Sequence, residues 1–263
     1  MTDRILDLEQ EKMFQKIESG QPIESGVEMT SEYRETLMHL LLMQADSELS
    51  GAYGYVPWIM KAPTIQEKLI VANIVKDEVR HAKAVYGLLS DLGFDVQAHL
   101  NAQDLAARIS STEDIGTGRA GSDKRVNIFY YPIDTWTDFV MFNFCMDRGA
   151  GHQLEDVLTS SYGPWARVMH GIFDEEVTHV AHGDMWVRRL ALNPGTHDIC
   201  QERFNTWFLR TVKIFGSDKS TRNELYRKFG LKKRTNGEVR AAFVAEVSQL
   251  CASFSLTVPL FGS

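Results

Sequence analysis

Two copies of one short pattern, Glu78-x-x-His81 and Glu176-x-x-His179, stand about a hundred residues apart in a chain of 263. Each lies in a stretch that reads as the middle of a helix. Each also follows another helix carrying a lone acid in an apolar setting, Glu48 before the first copy and Asp147 before the second. Midway between Glu48 and Glu78 lies Pro63, inside the turn signal Lys61-Ala62-Pro63-Thr64; the midpoint of Asp147 and Glu176 falls beside Gly163-Pro164. Residues equidistant from the turn of an antiparallel helical hairpin lie at one height. Each half of the chain therefore reads as a hairpin with two acids facing each other at one level. Helix residues three apart share a face, so each His points with its Glu. Two such hairpins packed together converge four carboxylates and two imidazoles on one axis.

One acid from each of two helices, with Glu-x-x-His from each of the other two, predicts an all-α, ferritin-like four-helix bundle with additional C-terminal helices, built around two iron or manganese ions. Buried carboxylates without partners are expensive, and two divalent cations neutralise four of them. Carboxylate and imidazole donors suit iron or manganese, and no thiolate set competes. A single Glu-x-x-His would more often lie on a solvated face; the matched pair carries the inference. The expected metal ligands are Glu48, Glu78, His81, Asp147, Glu176 and His179, and the four acids are also the expected catalytic set. Asp138 and Glu155 compete with Asp147 on its helix. Asp147 is preferred because it matches the height of Glu176 and follows the apolar run from Phe139 to Met146. Asp is one methylene shorter than Glu and needs a close approach, which Gly149 and Gly151 are expected to permit. Asp77 and Glu175 each stand four residues before a ligand His and are assigned to hold the rings by accepting the free ring N–H. The histidines at 39, 99, 152, 170, 182 and 197 lack a partner at ligand spacing, and no acid is matched to His182.

One domain is expected over residues 1–263: an arm at 1–29, the metal-binding bundle at 30–193 and accessory helices at 194–263. The arm has Ile5, Leu8, Met13, Phe14 and Ile17 roughly on one side. Long helices are predicted from Ser31 to Tyr53, from the capping box Thr64-Ile65-Gln66-Glu67 to Gly93, from Thr135 to Ser160, and from Pro164 to just before Asn193-Pro194-Gly195. Residues 94–133 read as irregular, with a short helix at 101–109 and a mobile loop from Thr112 to Ser122. Further helices are predicted near 197–215, 219–229 and 236–254; strand signals are weak. Phe142, Phe144, Met146, Trp165, Met169 and Phe173 are expected in the bundle interior. A net charge of −7 and the lack of a basic, aromatic-studded stripe exclude a nucleic-acid binder. Cys145, Cys200 and Cys251 read as buried thiols of a reducing cytoplasm. Met1-Thr2-Asp3-Arg4 opens no signal peptide, and no apolar run is long enough to span a bilayer.

The chain resembles the catalytic-component family of ring-1,2-phenylacetyl-CoA epoxidase, a multicomponent di-iron monooxygenase of phenylacetate catabolism. The similar segments are Asp46-Ser47-Glu48-Leu49-Ser50-Gly51, Trp58-Ile59, Lys61-Ala62-Pro63-Thr64, Lys76-Asp77-Glu78-Val79-Arg80-His81 and Tyr131-Pro132. They continue in Asp147-Arg148-Gly149-Ala150, Ser161-Tyr162-Gly163-Pro164, Glu175-Glu176-Val177-Thr178-His179, Phe215-Gly216, Thr235-Asn236 and Thr257-Val258-Pro259. The likeness covers nearly the whole chain and is distant between motifs. It implies iron at the six matching acids and histidines, with manganese or a mixed pair also accommodated. It further implies O2 as co-substrate, an aromatic acyl-CoA such as phenylacetyl-CoA as substrate, and insertion of one oxygen atom. The family works with structural and small bridging subunits, plus a flavin/iron–sulfur reductase that uses NAD(P)H, so a homo- or hetero-oligomer is expected. The chain carries no flavin or iron–sulfur motif of its own, and its electrons must come from outside. Catalytic components of the family continue with a further tail, whereas this chain ends at Ser263, and its loops diverge. A hydroxylase of another thioester or small acid, an iron-handling ferroxidase and a non-catalytic scaffold are the alternatives. The long C-terminal region weighs against the ferroxidase, and retention of all six ligand residues against the scaffold. The substrate pocket is expected beside the metal site, walled by Phe142, Phe144, Trp165 and Phe173, with Arg148 and Arg167 near its mouth for the CoA phosphates.

Overall fold

The computed structural model describes residues 2–261, apart from the side chains of residues 2–7 and 9; the arm residue Ile5 therefore lies outside the described side chains. Helix α1 (Thr2–Glu18) buries Met13 and packs Phe14 and Ile17 beside it, while Leu8 stands half exposed. The segment after α1 is stitched to the second half of the chain. Ile23 N donates to Ser161 O at 2.8 Å, and Gly163 N donates to Ile23 O at 3.0 Å. This isolated bridge is the one β pairing among the described residues.

The first hairpin is α2 (Ser31–Tyr55), a single turn α3 (Trp58–Lys61) and α4 (Ile65–Asp91). Threonine caps both long helices: Thr30 Oγ1 accepts from Tyr33 N at 3.2 Å and Thr64 Oγ1 accepts from Glu67 N at 3.1 Å, satisfying first-turn donors that have no partner inside the helix. Only half of the expected Thr64–Glu67 capping box forms. The Glu67 carboxylate turns into the core instead, where it meets His182. Helix α5 (Val96–Ala102) starts earlier than the helix predicted at 101–109, because Asp95 caps it by accepting from Ala98 N at 2.9 Å.

The second hairpin opens with α6 (Trp136–Phe142), where Thr135 and Asp138 form a complete capping box. The sequence predicts one helix from here to Ser160. The structure keeps that course but widens one turn: Asn143–Asp147 is π-helical, followed by α7 (Arg148–Glu155) and a 3₁₀ turn at Asp156–Thr159. Such π turns recur at functional sites, and this one ends on Asp147. Helix α8 (Gly163–Ala191) returns with Pro164 in its first turn. Gly183 of α8 lets the two strokes touch. A Cβ there would lie 2.5 Å from Phe144 N and 2.8 Å from the Asn143 carbonyl carbon. The close approach expected from Gly149 and Gly151 is therefore made by Gly183. Gly149 admits the following helix α9 (His197–Val212), whose Thr211 Cγ2 would be 2.8 Å from its Cβ, and Gly151 faces open space.

Beyond a 3₁₀ turn at Lys213–Phe215 come α10 (Thr221–Lys228) and α11 (Asn236–Phe254), the latter with a Thr235–Glu238 capping box. The apolar interior falls into two clusters. The larger joins α3, α6, the end of α8, α9 and α11 around residues such as Phe144, Trp207 and Phe243. The other joins α1, the start of α2, the end of α4, the start of α8 and Tyr226 of α10. Between them, Glu48, Glu78, Asp147 and Glu176 are buried at one level. Arg148 is buried too. Its guanidinium donates to Glu246 at 2.8 Å, Asp184 at 2.5 Å and Phe144 O at 2.5 Å, which ties α7 to α8 and α11.

Gly183→Ala is expected to lower stability by about 3 kcal/mol, because the new methyl group meets backbone that cannot step aside. Gly151→Ala is expected to raise it by about 0.5 kcal/mol through helix propensity alone. Arg148→Met is expected to cost about 2 kcal/mol, since the partly exposed Asp184 and Glu246 lose their shared donor. Urea unfolding of the metal-free variants at neutral pH measures all three.

Candidate metal centre

The two hairpins bring the six expected ligands around one cavity. Glu48, Glu78, His81 and Glu176 each present a ligand atom such that the four lie within 4.8 Å of one another. His179 joins them, its Nδ1 3.5 Å from Glu78 Oε1 and 3.3 Å from Glu176 Oε2. Asp147 stands outside the tight group but lines the same cavity with Glu48, Glu78 and Glu176. Its carboxylate is held from two sides: Tyr55 donates to Oδ1 at 3.1 Å and Asn143 Nδ2 donates to Oδ2 at 2.7 Å. The rivals have other work. Asp138 caps α6 and accepts from Trp207 Nε1 at 2.9 Å, and Glu155 pairs with Arg234 on the surface.

Both imidazoles turn Nδ1 inward. His81 Nδ1 lies 3.2 Å from Glu176 and 3.7 Å from Glu48, and neither it nor His179 Nδ1 has an aligned hydrogen bond although both are buried. A buried ring nitrogen aimed at carboxylates and bonded to none suits a cation between them. Outward, the assigned holding acids sit across the bundle from where the sequence suggests. His81 Nε2 donates to Glu175 at 2.7 Å and His179 Nε2 faces Asp77 at 3.7 Å, so each ring is served by the acid of the opposite hairpin. Arg80 bridges the two acids, donating to Asp77 at 2.9 Å and also contacting Glu175.

The electrostatics are those of a cluster short of positive charge. Burial, then the repulsion of Glu176, pushes the Glu78 carboxyl well above the usual carboxylate range. The same two causes raise Asp147 to about 7. Burial acts on Glu176 as well, but the imidazoles of His179 and His81 outweigh it and hold that group at about 2. Burial also disfavours the two imidazolium ions, yet the neighbouring carboxylates prevail and lift His81 to about 11 and His179 to about 12. Without a metal, protons supply the missing charge. The donor set therefore fits a divalent metal, with carboxylate oxygens and imidazole nitrogens of the type that iron and manganese take.

The cavity holds about 290 Å³ and runs from the acids to the surface. Its lining includes the apolar side chains of Met43, Phe129, Met146 and Trp165 and the cations Arg119, Lys213, Arg222 and the buried Lys232. Of the expected walls only Trp165 lines it. Phe142 and Phe144 pack into the larger core cluster, and Phe173 does not reach the cavity. Nor do the expected cations: Arg148 is committed to Glu246 and Asp184, and Arg167 pairs with Glu24 on the surface. His182, expected to have no acid, is paired with Glu67 at 2.8 Å.

Sequence reasoning also missed Gln44, Tyr55 and Asn143. Gln44 Nε2 donates to Glu48 Oε1 at 3.0 Å, as Asn143 does to Asp147. A signal was there, because each lone acid has a side-chain amide four residues before it, on the same helical face.

Residues 6–261 match the family described as phenylacetic acid catabolic protein. The chain is 28% identical over 256 residues to one of the subunits of 1,2-phenylacetyl-CoA epoxidase from Escherichia coli (strain K12), covering 95% of this chain and 77% of that protein. It is 25% identical over 232 residues to benzoyl-CoA oxygenase component B of Aromatoleum evansii, covering 80% of this chain and 47% of that one. With nearly its whole length matched, the chain belongs to the phenylacetic acid catabolic protein family.

Proposed function

We propose that the chain is the oxygenase component of a multicomponent enzyme that transfers one oxygen atom of O2 to an aromatic acyl-CoA, phenylacetyl-CoA first among them. The observation that carries this reading is the buried carboxylate–imidazole cluster beside a largely apolar cavity whose lining also holds four cations. The names of the two relatives, both components of enzymes that oxidise CoA thioesters, support it. Glu48, Glu78, His81, Asp147, Glu176 and His179 would hold two irons, with manganese or a mixed pair an equal fit to the donors. The metal pair would supply the redox chemistry of O2 reduction, with electrons from a separate NAD(P)H-dependent reductase. Structural and bridging subunits complete the proposed assembly, and the cytoplasm is its proposed compartment. Three free buried thiols, and the absence among the described residues of any helix long and apolar enough to cross a membrane, fit that setting.

The chain's own residues then divide the work. Glu175 holds the His81 ring from behind, so its Nδ1 keeps its direction, and Asp77 sets a negative charge 3.7 Å behind His179. Tyr55 and Asn143 do the same for Asp147. Phe129, Met146 and Trp165 exclude water and seat the acyl ring; the cavity has room, since a void of about 150 Å³ already accepts benzene. Arg119, Arg222 and Lys232 meet the CoA phosphates by charge-assisted hydrogen bonds, while Lys213 is already paired with Asp114 at 2.8 Å. Lys232 is the most poised of these. Burial pulls its ammonium down to about 8, and an arriving phosphate favours its charged form. A long handle gripped at the mouth turns binding energy into orientation of the acyl group at the acids.

Anaerobic loading is expected to give two irons per chain by metal analysis, and a value near zero would sink the ligand assignment. His81 and His179 carry protons at neutral pH in the metal-free state, so a metal must displace them. Loading at pH 7 is expected to release at least two protons, since the raised carboxyls of Glu78 and Asp147 also give theirs up, and to weaken about a hundredfold or more per unit of falling pH. Calorimetry in buffers of different ionisation enthalpy counts the protons. Glu78→Ala is expected to abolish turnover while keeping the helical circular dichroism, and removing one of four mutually repelling acids leaves the metal-free fold no less stable.

For the substrate, Arg222→Glu and Lys232→Met are each expected to weaken phenylacetyl-CoA binding about tenfold or more in calorimetry, through lost phosphate contacts. Neither should alter affinity for free phenylacetate. Wild-type protein that binds no acyl-CoA, yet oxidises a free acid under a reductase system, would move the reading to a hydroxylase of small acids.

A further inference from the structure

Each lone acid of the centre is gripped by an amide four residues earlier, and in each case a ring nitrogen pins the far side of that amide. On the Glu48 side, Gln44 donates through Nε2 to the carboxylate, and its Oε1 accepts from Trp165 Nε1 at 2.8 Å. On the Asp147 side, Asn143 donates through Nδ2 to the carboxylate and to Tyr55, and its Oδ1 lies 3.1 Å from His182 Nδ1. An indole nitrogen is always a donor. His182 is one at Nδ1 as well, because the Asn143 NH2 donates to Asp147 Oδ2 and leaves the amide oxygen facing the ring. The His182 ring packs edge to face against Trp136 and Phe139, and its Nε2 meets Glu67 Oε2 at 2.8 Å. Glu67 is the residue whose carboxylate left its helix cap to make that contact, whereas the capping boxes at Thr135 and Thr235 are complete. His182, Asn143 and Glu67 are all buried.

We propose that Glu67, His182 and Asn143 form a positioning relay that runs from the first turn of α4 to the π turn of the other hairpin and sets which way the Asp147 carboxylate faces the metal centre. The proposal rests on the reading of Asp147 as a ligand. With a hydrogen on each ring nitrogen, His182 donates to Glu67 through Nε2 and to Asn143 through Nδ1, the amide is thereby kept from flipping, and its NH2 holds Asp147 Oδ2 while Tyr55 holds Oδ1. Flipped, the amide would set its oxygen against a carboxylate oxygen, a repulsive contact in a buried place. None of these three residues has to touch the metal or the substrate. They act through Asp147.

Cobalt(II) titration of the full chain, followed by visible absorption, tests the relay apart from turnover. Wild type is expected to take up two ions, and Asp147→Ala to lose one of them. His182→Phe and Asn143→Leu are each expected to weaken that same ion about tenfold to a hundredfold and to shift its absorption bands, as partners of metal ligands do when changed. The other ion should stay within about threefold. His182→Asn, whose amide keeps a donor where Nδ1 stood, is expected to recover most of the loss. The double variant His182→Phe/Asn143→Leu should be no weaker than Asn143→Leu alone, because both act through one amide. If His182→Phe and Asn143→Leu keep wild-type cobalt affinity and spectrum while Asp147→Ala has lost its ion, the relay is overturned and the ligand assignment stands. Unchanged cobalt binding in Asp147→Ala overturns both. Should His182→Phe fail to fold, Asn143→Leu decides by the same criterion.

Discussion

Four carboxylates and two imidazoles buried at one level govern the rest of this molecule. Charge of that density inside a protein is untenable without compensation, and the metal-free chain meets the demand with protons on His81 and His179. The layer also cuts the apolar interior in two. On α2, α4 and α8 alike, the residues on one side of the acid belong to one cluster and those on the other side to the second. The two cores stabilise the bundle above and below a layer that is costly to bury by itself.

What makes the layer tolerable is that almost no member stands alone. The His81 ring is braced by Glu175 of the opposite hairpin, Asp77 faces His179 Nε2 at 3.7 Å without a hydrogen bond, and Arg80 contacts both acids. The lone acids are braced from their own helices, by Gln44 and Asn143. The crossed bracing couples the hairpins, so that neither half can shift without disturbing the other's histidine. The approach of α8 to the π turn, possible only at Gly183, serves the same end.

Local rules held wherever nothing deeper competed with them. Thr135 and Thr235 cap as their sequences say, Pro164 opens α8, and the accessory helices lie where periodicity puts them. The departures occur where tertiary structure had a claim. Glu67 left its cap for His182. The helix after Thr135 widened into a π turn at Asn143–Asp147, and Phe142 and Phe144, expected to wall the cavity, went to the larger core. A helical periodicity states which residues share a face; it does not state which of two neighbouring interiors that face will enter.

The sequence by itself determined the all-α class, the two hairpins and the meeting of Glu48, Glu78, His81 and Glu176, because equal distance from a turn and three-residue spacing on a helix are properties of the backbone. The pairing of partners was decided only by the tertiary structure. Glu175 lies four residues before His179 yet serves His81. Tyr55 on the first hairpin holds Asp147 on the second, and the cations lining the cavity come from the loop at Arg119, the turn at Lys213, α10 at Arg222 and the approach to α11 at Lys232. Hydrogen bonds and ion pairs between separate helices depend on their offset and rotation, and side-chain packing sets both. No spacing along one chain encodes them.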